Sequence, residues 1–290
     1  MENRIQRISI SERLLTPTEA EVWISVFPKR LTSITQVRGR LMGPRCAYST
    51  TVEVAYPLRE QLREYETAGD PHFCMRVIIP EPNLWDPVSP FLYQGPLELW
   101  QSKELCDQRT IIRGLRALKL GPRGLNWNGK ALVLRGVERE EDMEPEALQL
   151  RQLGCNALLA PVLGKTAALW EIATRLGFLM IGRIDSKDAV RLAHGFQDHP
   201  CCLGWLFTPA YFSDKLVQAS QGALGHRGQL IGVEMKEPPA DELPKWLSFL
   251  ACSEDLLPRL EHVKLPKIVY TKEWPTAPDV PPRILGWVRQ

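Results

Sequence analysis

The stretch Asp198-His199-Pro200-Cys201-Cys202-Leu203-Gly204-Trp205-Leu206-Phe207-Thr208-Pro209-Ala210 decides the fold of this chain. The turn signal His199-Pro200 is followed by the apolar run Cys201–Phe207, and a second proline, Pro209, comes shortly after the run. A continuous apolar run between turn signals is typical of a strand that is buried on both faces. Such strands occur in parallel sheets and barrels, so the stretch predicts an α/β unit in this half of the chain.

Around this stretch, apolar runs alternate with helical patterns, which is the mark of a parallel sheet. The predicted strands are Leu132–Val137, Asn156–Val162, Leu179–Ile184, Cys201–Phe207, Leu230–Met235, Trp246–Cys252, Lys267–Thr271 and Ile284–Val288. The predicted helices are Glu144–Leu153, Thr166–Leu176, Asp188–Phe196 and Asp214–Leu224. Eight strands are the number that closes a (β/α)₈ barrel.

The predicted barrel is minimal. Residues 132–290 are far fewer than the roughly 250 of a typical barrel. The proline-rich segment Pro275–Pro282 cannot form a helix between the last two strands, because internal prolines remove donors and clash with the preceding turn. An open, incomplete α/β sheet is therefore the alternative fold.

The first part of the chain has an all-β pattern, with short β-branched and aromatic runs separated by Pro and Gly. The predicted strands are Val22–Phe27, Thr51–Tyr56, Phe73–Ile79, Leu97–Trp100 and Arg109–Ile112. Their spacing favours an antiparallel sandwich. The polar segment Leu58–Thr67 is expected to form a helical turn or a loop, and Asn128-Gly129 predicts a two-residue hairpin because both positions accept positive φ. We place the domains at residues 1–120 and 121–290.

Composition sets broad limits on the function. The 290 residues carry a net charge of +2, which gives no argument for a nucleic-acid partner. The N-terminus lacks the apolar core of a signal peptide, and no apolar run is long enough for a membrane span, so we expect a cytoplasmic protein without membrane contact.

The seven Cys include no Cys-x-x-Cys pair, which favours buried free thiols. The five His show no metal-ligand spacing, and we expect neither a metal nor a cofactor.

Several motifs together resemble glycoside hydrolase family 2. They are the stretch Asp198–Ala210, the segment Pro82–Tyr93 with its Leu-Trp-x-Pro core, the strand Ile111–Arg116, the hairpin Leu125–Lys130, and the strand starts Leu134–Val137 and Gly154–Ala157. The resemblance covers residues from about 70 to 290, without a counterpart of the family's N-terminal sugar-binding domain. It implies an immunoglobulin-like β-sandwich followed by a minimal (β/α)₈ TIM-like barrel.

The same resemblance implies that the catalytic groups are absent. The family's Asn-Glu pair after the fourth strand, which contains the general acid/base, falls on Pro209 and Ala210. The nucleophilic Glu at the end of the seventh strand falls on Thr271, and the Asp-Glu pair after the third strand is replaced by Gly182 and Arg183. Family residues after the first two strands, including two His, are also replaced. The resemblance thus implies a glycosidase-like protein that has lost hydrolysis and serves as a carbohydrate-binding or protein-interaction module.

An active β-glycosidase with relocated carboxylates is the alternative. The acids Glu234, Glu254 and Glu273 lie at or near the ends of the fifth, sixth and seventh predicted strands, where barrel active sites are built. Solvated loop acids are the simpler interpretation of all three. The candidate substrate-binding residues are Trp205, Trp274 and Trp287, although a Trp is more often part of a core than a sugar platform. A pure assembly component without a ligand is a third hypothesis.

Overall fold

The computed structural model describes residues 3–64, 71–121, 124–141, 143–212, 224, 228–239, 242–275, 281 and 283–290. The chain divides into two compact units, Met1–Arg116 and Ala117–Gln290. The domain boundary expected from the sequence, after residue 120, lies just inside the second unit. Among the described residues, no helix combines the length and the apolar character needed to cross a bilayer.

The first unit consists of two four-stranded antiparallel sheets. Its strands are β1 Ile5–Leu15, β2 Glu19–Pro28, β3 Thr35–Arg45, β4 Val54–Pro57, β5 Arg59–Glu64, β6 His72–Pro80, β7 Leu92–Gln101 and β8 Glu104–Arg113. One sheet has the order β1-β2-β6-β5 and the other β4-β3-β7-β8. The all-β prediction for this region is therefore confirmed, whereas its immunoglobulin-like connectivity stays a prediction.

Alternating burial explains why these strands form two facing sheets. Along β2, Val22, Ile24 and Val26 are fully buried while the residues between them are half-buried. In the second sheet, Leu97 and Leu99 of β7 are buried in the same way. Residues from both sheets belong to one apolar core, so each sheet turns one face toward the other.

The prediction of a helical turn or loop at Leu58–Thr67 is wrong for the described residues of this segment. Residues Arg59–Glu64 form β5, an edge strand that pairs antiparallel with β6, rather than a helical turn or loop. Residues 65–67 of the predicted segment lie outside the described part. A polar edge strand has no apolar alternation to reveal it, because it is paired on one side and solvated on the other.

The second unit begins with a three-stranded antiparallel sheet. It contains β9 Leu118–Gly121, β10 Gly124–Trp127 and β11 Lys130–Leu132. Asn128 and Gly129 join the last two strands with φ of 52° and 83°. Both positive values match a type I′ turn, so the predicted hairpin is confirmed.

Eight parallel strands then form a closed barrel. They are β12 Leu134–Glu138, β13 Ala157–Pro161, β14 Leu179–Ile184, β15 Cys202–Phe207, β16 Leu230–Glu234, β17 Phe249–Ser253, β18 Lys267–Thr271 and β19 Ile284–Arg289. The ring closes where β12 pairs with β19, with Leu134 opposite Gly286. This closure confirms the predicted barrel and shows that the open-sheet alternative is wrong.

Three described α-helices connect the first four barrel strands. They are α1 Ala147–Gln152, α2 Ala167–Leu176 and α3 Lys187–Phe196. The first two follow single 3₁₀ turns, α2 ends at Gly177 with a φ of 76°, and Ser186 caps α3 by accepting a hydrogen bond from the Ala189 N–H. The predicted helix Asp214–Leu224 lies outside the described residues except for Leu224, as does most of Pro275–Pro282. A further 3₁₀ segment, Glu254–Leu260, follows β17.

Candidate site at the mouth of the barrel

Trp205, in the centre of the decisive stretch, points away from the barrel axis. Its ring stacks on Trp170 of α2 with centroids 5.6 Å apart, and its Nε1 donates to the Leu224 carbonyl at 3.2 Å. Both Trp side chains are fully buried. A Cβ on Gly182 would meet the Trp205 ring at 2.6 Å, so glycine is needed on the neighbouring strand. Trp205 therefore fills the layer between strands and helices and presents no surface to a ligand.

Because side chains alternate along a strand, the residue after Gly182 points into the barrel. That residue is Arg183, and its Nη1 donates to Oε1 of Glu138 in an ion pair. Glu138 ends β12, Arg183 lies on β14, and β13 separates the two strands. Contact between strands that are not neighbours requires both side chains to cross the interior.

Tyr270 of β18 approaches the same ion pair from the opposite wall. Burial raises the pKa of its phenol; the Glu234 carboxylate raises this pKa further, and Arg183 acts in the opposite direction. The strands β12, β14, β16 and β18 are alternate strands of the ring. Barrels fill their interior with layers of four side chains from alternate strands. We call the layer formed here the polar layer, and its members are Glu138, Arg183, Glu234 and Tyr270.

A cavity of about 440 Å³ opens above this layer, and we call it the mouth. Its lining residues are Glu138, Arg183, Thr208, Pro209, Ala210, Glu234, Lys236 and Gln290. Two carboxylates and two cations therefore face one space, with hydroxyl and amide groups between them. Such a surface offers both hydrogen-bond donors and acceptors to a polar ligand.

The structure separates the three predicted acids. Glu234 lines the mouth, whereas Glu254 is exposed at the start of a 3₁₀ segment and Glu273 is exposed in the turn after β18. The second carboxylate of the mouth is Glu138, which is not among the three acids selected from the sequence. Its position directly after the predicted strand Leu132–Val137 was the signal that it belonged to this face of the barrel.

The two further Trp candidates, Trp274 and Trp287, do not line the mouth. Trp274 is half-buried, and its Nε1 donates to the Gly136 carbonyl at 3.0 Å. The guanidinium of Arg289 lies 4.9 Å from the Trp274 ring centroid. Trp287 is half-buried on β19. Trp287 is therefore part of a barrel strand, and Trp274 lies in the segment that follows β18.

The positions that the resemblance assigns to catalysis carry no acid. Ala210 lines the mouth without a functional group. Thr271 follows Tyr270 and so alternates away from the interior; its hydroxyl donates to the Glu273 carbonyl at 2.7 Å and accepts from the Glu273 N–H at 3.2 Å. The Thr271 hydroxyl therefore makes both of these hydrogen bonds to the backbone of the turn that follows β18.

Most of the cysteines, and His199, lie in packed surroundings of the fold. All seven cysteines are free and five are buried, as the sequence predicts, and burial raises the pKa of the Cys155 thiol to about 11. No group of three or more His, Cys, Asp or Glu side chains in the described residues could hold a metal ion. His199 lies against Trp170 and Phe196, with Nδ1 3.2 Å from the Thr174 hydroxyl. Burial lowers the pKa of His199 to about 4.

The ion pair in the polar layer should contribute measurably to stability. We expect Arg183→Met to lower the free energy of unfolding by about 2 kcal/mol, because it leaves the Glu138 carboxylate largely desolvated without its partner. The side chains of Arg183 and Glu138 are only 19% and 25% exposed. Urea denaturation followed by circular dichroism measures the effect. The double variant Arg183→Met/Glu138→Gln should recover at least half of the loss, and equal losses in both variants would contradict the coupling.

Comparisons with known proteins agree with this architecture. No family model matches the chain. A β-galactosidase of Bacteroides ovatus is 24% identical over 147 residues, which cover 46% of this chain and 17% of that protein. A glycosyl hydrolase family 2 member from Bacteroides cellulosilyticus superposes with a TM-score of 0.70 at 15% identity, covering 99% of this chain and 44% of the other.

A β-glucuronidase of Bifidobacterium dentium also superposes, with a TM-score of 0.69 at 12% identity, over 99% of this chain and 60% of the other. This chain therefore spans only part of the length of each of these proteins. The sequence matches and the shared architecture confirm the resemblance that the motifs indicated. The chain is therefore similar to glycoside hydrolase family 2 proteins and spans part of their length.

Proposed function

We propose that the mouth of the barrel binds a carbohydrate and does not cleave it. The observation that carries the proposal is the polar layer beneath a cavity in which the position expected for the general acid is Ala210. In this proposal the first unit is an immunoglobulin-like sandwich, supported by its two four-stranded sheets around one core.

The polar layer has the chemistry that sugar hydroxyls require. A hydroxyl group both donates and accepts, and it matches carboxylates that accept, guanidinium groups that donate and phenols that do both. The Arg183 guanidinium and the Tyr270 phenol interact with each other beneath the cavity. A polar occupant would contact the charged groups that line the mouth itself, which are Glu138, Arg183, Glu234 and Lys236.

The same layer is poorly arranged for hydrolysis by the retaining mechanism. That mechanism needs two carboxyl groups about 5–5.5 Å apart, one of which must be protonated to act as the acid. One carboxylate of the mouth, Glu138, already accepts a hydrogen bond from Arg183. The other, Glu234, shares the cavity with the cation Lys236. Loss of general acid catalysis alone typically costs about 10²–10⁴-fold in rate.

An active β-glycosidase remains the second candidate, because Glu138 and Glu234 line one cavity. These two carboxylates, rather than the exposed Glu254 or Glu273, would form its acidic pair. Glu234 would act from the end of β16 and Glu138 from the end of β12.

One experiment separates the two functions. Aryl β-galactosides, β-glucosides and β-glucuronides are incubated with the protein, and binding of the same sugars is measured by calorimetry. We expect binding without turnover, and a roughly 5- to 10-fold weaker affinity in Glu234→Gln, since the charged acceptor that lines the mouth is lost. The exposed Glu273→Gln is the control and should bind normally. Turnover that Glu234→Gln abolishes would overturn the proposal in favour of the glycosidase.

A further inference from the structure

A cavity of about 380 Å³ lies within the first unit, and we call it the basic cavity. It shares no lining residue with the mouth. Its lining comes from the segment before β1, the residue after β2 and the strand β8, so three separate parts of the first unit form one cavity. The lining residues are Asn3, Arg4, Lys29, Cys106, Asp107 and Arg109.

Hydrogen bonds to the backbone fix one side of the basic cavity. The buried Asn3 side chain accepts from the N–H groups of Arg4 and Arg30, at 3.1 and 3.0 Å, and donates to the Arg30 carbonyl at 2.9 Å. The Lys29 N–H donates to the Arg4 carbonyl at 2.8 Å. These bonds hold the start of β1 beside the end of β2, so the chain itself forms this side and a ligand does not have to assemble it.

Asp107 joins β8 to the same frame, and its carboxylate is engaged with the protein. Its Oδ2 accepts from the Ile5 N–H at 2.9 Å, and its Oδ1 accepts from the Gln108 N–H at 2.8 Å. Nη2 of Arg109 lies 3.4 Å from Oδ2. The carboxylate therefore serves to hold β8 against β1.

The charges of the lining select an anion. Three cations, Arg4, Lys29 and Arg109, and the single carboxylate of Asp107 leave a formal charge of +2 around the cavity. A phosphate monoester carries about −1.5 to −2 charges at pH 7, whereas a carboxylate or a sulfate ester carries a single charge. Guanidinium groups also match phosphate oxygens through two parallel hydrogen bonds. A dianionic phosphate group is therefore the anion that this lining fits best.

Volume and polarity define the rest of the ligand. A volume of about 380 Å³ is within the range of about 300–1,000 Å³ of small-molecule sites. The lining contains no aliphatic or aromatic side chain, and the half-buried Cys106 is its least polar member. The organic part of the ligand should therefore be small and polar.

We propose that the basic cavity binds a small, polar phosphate monoester whose phosphate group contacts Arg4, Lys29 and Arg109. The proposal does not depend on the proposed function, because it concerns a different unit of the chain. It gives the first unit a ligand of its own.

Calorimetric titration of the full chain at low ionic strength tests the proposal. The probes are glycerol 3-phosphate, inorganic phosphate and methyl sulfate. We expect glycerol 3-phosphate to bind at least about 5-fold more tightly than methyl sulfate, because attraction to the cations grows with the charge of the anion. It should also bind more tightly than inorganic phosphate, because its organic part occupies the rest of the cavity. Arg109→Gln and Arg4→Gln should each weaken its binding by about 10-fold, since each removes a charge-assisted hydrogen bond.

The matched control is Arg191→Gln. Arg191 on α3 lies 3.4 Å from its partner Asp188, the same separation as between Arg109 and Asp107, and it is exposed in the second unit. This variant should bind glycerol 3-phosphate normally, and circular dichroism checks that all three variants are folded. Absence of binding, equal affinities for glycerol 3-phosphate and methyl sulfate, or unchanged binding in both Arg109→Gln and Arg4→Gln would overturn the site. Equal affinities for inorganic phosphate and glycerol 3-phosphate would overturn the assignment to an ester.

Discussion

Trp205→Ala is expected to lower the free energy of unfolding of the barrel unit by about 4 kcal/mol. The indole is fully buried, stacks on Trp170 and donates to the Leu224 carbonyl. Removing a large buried aromatic side chain typically costs about 3–5 kcal/mol, since the cavity that remains only partly collapses. Urea denaturation, followed by circular dichroism and fluorescence, measures the shift in the unfolding transition.

The control for this prediction is Trp205→Phe. It keeps an aromatic ring and loses the indole N–H together with part of the stacked surface, so we expect a loss of about 1–2 kcal/mol. A loss below about 1 kcal/mol in Trp205→Ala would show that the ring is not part of the packed layer. The indole would then be available for the substrate-binding role that its sequence position also permitted.

The second large effect is a pH dependence that arises from His199. Burial lowers the pKa of this imidazole to about 4, whereas in the unfolded chain it returns to about 6.5. Between these values the unfolded state binds a proton and the folded state does not, so stability falls as the pH falls. Above about pH 6.5 the contribution is constant, and by about pH 4 up to roughly 3 kcal/mol of stability is lost.

Unfolding free energies measured from pH 7 to pH 4 test this dependence. His199→Gln removes the titrating group, and we expect its stability to change less over this range than that of the wild type. The matched control is His194→Gln on α3, an exposed position at which the wild-type slope should persist. Identical slopes in the wild type and His199→Gln would contradict the assignment to His199.

The barrel strands could be predicted closely because their physical signal is local. A strand that is buried on both faces needs apolar side chains at every position, and such runs stand out between turn residues. The predicted bounds Leu179–Ile184 and Lys267–Thr271 match β14 and β18. Closure of the ring was inferred from the number of strands alone, and only the pairing of β12 with β19 establishes it.

The first unit was harder to predict because its signals are partly long-range. Strand β1 contains two register irregularities, which break the alternation that marks a half-buried strand. Strand β3 contains Gly39, where a Cβ would meet the Pro96 carbonyl oxygen at 2.4 Å. In sequence such a glycine indicates a turn, whereas in the structure it allows a neighbouring strand to approach closely.

The sequence by itself determined that Ala210 and Thr271 stand at the positions where the resemblance places the two catalytic acids, because residue identity at a counted position needs no coordinates. Only the tertiary structure decided which polar groups meet. Glu138 and Arg183 are distant in the chain, and they touch because a closed parallel barrel gathers the carboxyl ends of its strands at one face. Alternation then turns side chains of every second strand inward at the same height, and this geometry produces the polar layer.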